Sequence, residues 1–93
     1  VHLLDYLGRA VAIDVTGGEW DRASADAANI ERTWLALRPQ VVERPHSARA
    51  VAAADAAAGA VKAAVAAHSV ARVRAATARS ANAVDLLENV YGG

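Results

Sequence analysis

The sequence has no cysteine, no methionine and no phenylalanine, only two prolines, and one lysine against nine arginines. Without cysteine there is no disulfide, no thiolate nucleophile and no cysteine-ligated zinc. Without methionine or cysteine, a haem loses two of its usual axial or covalent attachments. A surplus of charge is also missing: ten basic residues face ten acidic ones, and the net charge is zero. Nucleic-acid binding, which needs excess positive charge to displace counterions, is therefore not expected. An anionic membrane surface is not expected as the main partner either. No apolar run approaches the ~20 residues of a membrane span. Aromatic residues are confined to Tyr6, Trp20, Trp34 and Tyr91.

What is abundant is alanine. Hydrophobic residues make up 55% of the 93 positions, and alanine supplies about half of them. A chain of this length builds one domain, here residues 1–93, near the lower limit of what folds unaided. Each alanine buries little area, so helix propensity and close backbone approach must supply the stability. The preference for arginine over lysine fits coding in a GC-rich genome such as that of an actinobacterium.

Apolar periodicity and punctuation predict four helices, over residues 3–15, 19–38, 46–66 and 70–91. In the first, Leu4, Leu7 and Val11 share a face, and Thr16-Gly17-Gly18 ends it. The second has the clearest seam: Trp20, Ala23, Ala27, Ile30, Trp34, Leu37 and Val41 alternate spacings of three and four. Pro39 disfavours helical geometry at Arg38, so the helix is expected to end or kink there, with 39–45 as connector. Pro45 or Ser47 opens the third helix, whose stripe is Val51, Ala54, Ala58, Val61 and Val65.

Beyond Val65 the apolar phase slips by two residues, to Val70, Val73, Val84, Leu87 and Tyr91. The slip predicts a tight turn at Ala67-His68-Ser69, with Ser69 as N-cap. Short loops then favour an all-α, up-down-up-down four-helix bundle. The alternative is a helical hairpin with one long C-terminal helix from Ser47 to Tyr91 that pairs as a dimer. No internal repeat is visible beyond the shared heptad rhythm.

No catalytic residues are identified. No serine lies in a Gly-x-Ser-x-Gly context, and Gly17-Gly18 is a helix break rather than a phosphate loop. Up-down topology would place His2 and His46 at one end, with Asp5 or Glu43 nearby as a third metal ligand. Glu43-x-x-His46 superficially matches the Glu-x-x-His of di-iron bundles, but it occurs once and straddles Pro45. Solvated histidines at helix ends are the expected reading, with no metal and no cofactor. Asp14 extends the first helix's apolar stripe and is expected in water at the bundle end. Trp20 and Trp34 lie fourteen residues apart, about 21 Å along a helix; they are expected as core anchors, with a ligand face as the alternative. Arg72 and Arg79 share one face of the last helix and Arg74 points elsewhere, as a solvated basic surface.

The run GGEWDRASADAANIERTWLALRP, followed by an Ala-rich helix and SANAVDLLENVY, resembles small exported bacterial helical proteins of unknown function. In these, a Gly-x-Trp helix start is followed two heptads later by a second Trp. The resemblance covers residues 3 to 91 and implies an extracytoplasmic, lipoprotein or periplasmic-type domain without enzymatic activity. Secreted helical hairpins of mycobacterial type VII export carry Trp-x-Gly in the inter-helix turn, whereas here Gly precedes Trp. The chain starts at Val1 rather than Met, as a processed or trimmed product would. A signal peptide or lipid anchor upstream is the expectation for an exported protein. The expected function is a non-enzymatic interaction or structural module. Its partner would be another protein or a small apolar ligand, and the Ala-rich faces would also allow a homodimer. A haem-, metal- or small-ligand-binding bundle is the alternative.

Overall fold

The computed structural model describes residues 2–92, which form four helices: α1 (His2–Thr16), α2 (Trp20–Val42), α3 (Ala48–Ala66) and α4 (Val70–Gly92). Each helix packs on its neighbours in chain order, and α1 closes the ring against α4. The result is an up-down-up-down four-helix bundle about 40 Å long and 20 Å wide. No described helix is long and apolar enough to cross a membrane.

Most seam residues read from periodicity leave solvent, but Trp20 and Leu37 are only partly buried and Val70 and Tyr91, at the two ends of α4, stay exposed. Leu4, Leu7, Val11, Val15, Ala27, Ile30, Trp34, Val61, Val65, Val73 and Leu87 are all buried in one continuous core. The interior is close-packed: the void among Leu4, Ile30, Trp34, Ala54, Val84 and Leu87 measures about 20 Å³, space for a single water at most.

α2 does not stop at Pro39. It runs three residues further, to Val42, with Pro39 inside it, and the connector shrinks to residues 43–47. Pro39 is exposed, as is Leu35, whose carbonyl loses its helical donor at this proline. Water can satisfy that carbonyl, so the lost hydrogen bond is cheap on this face. Continuing the helix also carries Val41 to full burial, which offsets the loss.

The turn between α3 and α4 lies where the phase slip places it, so the C-terminal half is two helices. Ser69 caps α4, its Oγ accepting the Arg72 amide at 3.2 Å. The first and last inter-helix turns are built alike. The Gly18 amide donates to Val15 O and the Glu19 amide to Asp14 O; fifty residues on, the His68 amide donates to Val65 O and the Ser69 amide to Ala64 O. Each is a Schellman turn closed by a left-handed residue, Gly18 at φ 75° and His68 at φ 50°.

The correspondence extends to the helices. α2 and α4 are both 23 residues long and start fifty positions apart. Buried residues Leu4, Leu7, Gly8, Val11, Asp14 and Val15 match buried Ala54, Ala57, Ala58, Val61, Ala64 and Val65; Ala23, Ile30 and Trp34 match Val73, Ser80 and Val84. The bundle is thus two like hairpins. The sequence hides this repeat because most equivalent positions, Val11/Val61 and Val15/Val65 aside, are filled with side chains of different size.

Candidate functional site

Both tryptophans turn toward the core from α2 but differ in burial, with Trp20 only partly buried against it. Trp34 lies in the core, 2% exposed, and its indole Nε1–H donates to Asp55 Oδ1 on α3 at 2.7 Å. Arg38, one turn further along α2, grips the same carboxylate with two bonds of 3.0 Å, from Nε to Oδ1 and from Nη2 to Oδ2. Asp55 therefore clamps α2 to α3 through a buried ring and a bidentate guanidinium. The Arg38 bonds, aided by the Trp34 bond, hold the Asp55 carboxyl below the usual carboxylate range, against the opposing effect of burial. Asp55 is the one carboxylate of α3, and this is the signal that could have revealed it. Trp20 instead sits half-buried at the turn end of the bundle. Its indole stacks on the His68 imidazole, with centroids 4.6 Å apart and planes 6° from parallel.

Asp14 is not in water. It is 7% exposed and its Oδ2 has no hydrogen-bonding partner. Its position three residues before Gly17 places the carboxyl under the first turn, where α2 covers it. Burial pushes its pKa up to about 6; the Asp26 carboxyl and the charge of Glu19 act in the same direction, and Arg22 opposes them.

His2 and His46 do lie at one end of the bundle and His68 at the other, as the helix order requires. Among the described residues, no group of three or more histidines, aspartates or glutamates is placed to hold a metal ion. Glu43 and His46 belong to the α2–α3 connector and are exposed. His46 is left-handed at φ 59°, but no backbone hydrogen bond closes a Schellman turn around it, as happens at His68.

The arginines of α4 divide as their spacing implies. Arg72 and Arg79 flank the Ala-lined groove between α3 and α4, and Arg74 faces α1, in a groove with Asp5 and Arg9. A different basic group was not legible in the sequence: Arg44 from the connector and Arg49 from the first turn of α3 meet Tyr91 from the end of α4. The Arg44 Cζ lies 4.5 Å from the Tyr91 ring centroid, a cation–π contact between residues forty-seven positions apart.

The surface has one further feature. Leu3, Tyr6 and Ile13 are 53%, 66% and 72% exposed. With half-buried Ala10 they form an apolar stripe along the outside of α1, at spacings of three, four and three. Comparison of the chain with protein-family models, with curated proteins and with solved structures finds no match.

Proposed function

We propose that the chain is a non-enzymatic interaction module, exported or membrane-tethered, that engages a partner protein through the outer face of α1. The observation that carries this reading is the contrast between a filled interior and an apolar exterior. A core void of about 20 Å³ offers no room for haem or a small molecule between the helices, where bundle cofactors sit. Three large apolar side chains meanwhile stand in water on one helix, in the spacing by which an amphipathic helix fills a partner's apolar groove. The export part rests on the resemblance of the Gly18-x-Trp20 helix start and its second Trp34 to small exported bacterial bundles.

The test places a photo-crosslinking phenylalanine analogue at Tyr6 in the native host, with the same group at Arg32, on exposed α2 surface, as control. The expected result is one discrete adduct from position 6 and none from position 32. Equal labelling from both positions would overturn the interaction face. Protein from the same host that carries a stoichiometric metal or a visible chromophore would favour the cofactor-binding alternative. Protease added to intact cells and to cells with the outer permeability barrier opened reads the location, and a chain protected in both would remove the export reading.

A further inference from the structure

The end of the bundle opposite the two Schellman turns carries a groove of about 630 Å³, within the range of small-molecule sites of roughly 300–1,000 Å³. Arg44, His46 and Arg49 form one wall, and Leu86, Val90 and Tyr91 of α4 form the other. We infer that this groove binds a small organic anion: a carboxylate or phosphate monoester attached to a flat or aliphatic apolar body.

Charge comes first. No carboxylate is among the described residues that line the groove. Among the described residues, Arg9 pairs with Asp5, Arg38 with Asp55 and Lys62 with Glu31, while neither Arg44 nor Arg49 forms an ion pair. In a chain with no net charge, two guanidiniums facing one cavity with no carboxylate among its described lining residues give a local positive field whose natural complement is an oxyanion. Arg44 is held in place by its stacking on Tyr91, so less side-chain freedom is lost when it takes a ligand.

The start of α3 adds to this field. Ser47 stands at the N-cap but makes no capping hydrogen bond; its Oγ is turned to the Val42 carbonyl, 3.5 Å away. The first amides of α3 therefore have no side-chain acceptor, and Arg49 and Ala50 of that turn line the groove. The apolar requirement comes from the opposite wall. Leu86 and Val90 are half-buried against the core, and with the Tyr91 ring they form a surface for the body of the ligand. The groove uses none of the α1 stripe, so it stands or falls independently of the interaction reading.

The test is an amide NMR titration of the full chain with four probes: phenyl phosphate, phenylacetate, inorganic phosphate and benzyl alcohol. At least one aromatic anion should move the signals of Ala48, Arg49, Ala50 and Val90 saturably, at least tenfold more tightly than benzyl alcohol or inorganic phosphate. Binding by phenyl phosphate alone identifies phosphate esters, and binding by phenylacetate alone identifies carboxylates. Arg49 and Arg44 are exposed, so Arg49→Gln and Arg44→Gln should keep the wild-type helical spectrum while weakening the anion by about tenfold each. No saturable shift, equal binding of benzyl alcohol, equal binding of inorganic phosphate, or unchanged affinity in both variants would overturn the assignment.

Discussion

The α1–α2 hairpin and the α3–α4 hairpin have the same turn, six buried positions in common between α1 and α3 and three between α2 and α4, and, in α2 and α4, the same length, yet they fill the core with different volumes. The first contributes Leu4, Leu7, Ile30 and Trp34; at the equivalent places the second contributes Ala54, Ala57, Ser80 and Val84. Neither set would pack against a copy of itself at interior density. Two large sets would clash, and two small sets would leave voids. Large against small closes the centre to about 20 Å³. The lesson is that a two-fold plan can be kept in the backbone while the side chains break it, and the break decides which half carries the stability.

The largest effect expected from this asymmetry is at its extreme pair. Trp34→Ala removes the biggest buried ring and strips Asp55 of its indole donor, and should cost roughly 3–5 kcal/mol. For a domain of this size that approaches the total stability. Val84→Ala, at the matching place in the second hairpin, should cost only about 2 kcal/mol, from two methyl-sized groups and a smaller cavity. Urea unfolding of both variants measures the pair. Equal losses would mean that the hairpins share the core evenly, and a Trp34→Ala loss under about 1 kcal/mol would place that ring outside it.

A second difference is Asp14, whose counterpart is Ala64. A carboxyl with a folded pKa of about 6 holds its proton more tightly in the folded chain than in the unfolded one, where it titrates near 3.8. Its contribution to stability is therefore best in acid and declines as pH rises through the window between those values. At ~1.4 kcal/mol per pKa unit, reduced for its place at the bundle end, the deficit above pH 7 is about 1–3 kcal/mol. Asp14→Asn should recover that amount at pH 8 and nothing at pH 4. Asp55, held low by Arg38, works in the opposite sense, since its contribution is present at neutral pH and lost on acidification. Urea midpoints of wild type and Asp14→Asn at the two pH values test the point. A variant no more stable than wild type at pH 8 would show that the Asp14 carboxylate is solvated.

Most of the fold was legible in the sequence because helical burial follows a fixed period: the seam from Ala23 to Val41 and the slip after Val65 are local facts. The turn at His68 could be found from that slip even without a glycine. What was not legible depends on distances that no local pattern encodes. Pro39 reads as a stop in isolation, but the burial of Val41 outweighs one solvent-side hydrogen bond. Asp14 reads as solvated until α2 covers it. The Asp55 clamp and the groove that joins Arg44, Arg49 and Tyr91 need the register of neighbouring helices, which is set by packing rather than by propensity. The hairpin repeat is not legible because its identity lies in which positions are buried, while the residue types there differ at all but a few places, such as Val11/Val61 and Val15/Val65.

The smallest effects separate the two turns themselves. Gly18 and His68 occupy the same left-handed place, but only glycine does so without steric cost. Gly18→Ala has open space around the added carbon, so its cost is conformational alone, about 1 kcal/mol. At His68 two terms of that size oppose each other. His68→Gly relieves the backbone by ~1–2 kcal/mol but forfeits the stack on Trp20, worth ~0.5–1.5 kcal/mol. The net change should lie within about 0.5 kcal/mol of zero. His68→Ala keeps the backbone penalty and still loses the stack, and should cost close to 1 kcal/mol. If His68→Gly instead stabilises the chain by more than 1 kcal/mol, the stack on Trp20 contributes nothing, and the two turns differ in sequence without differing in energy.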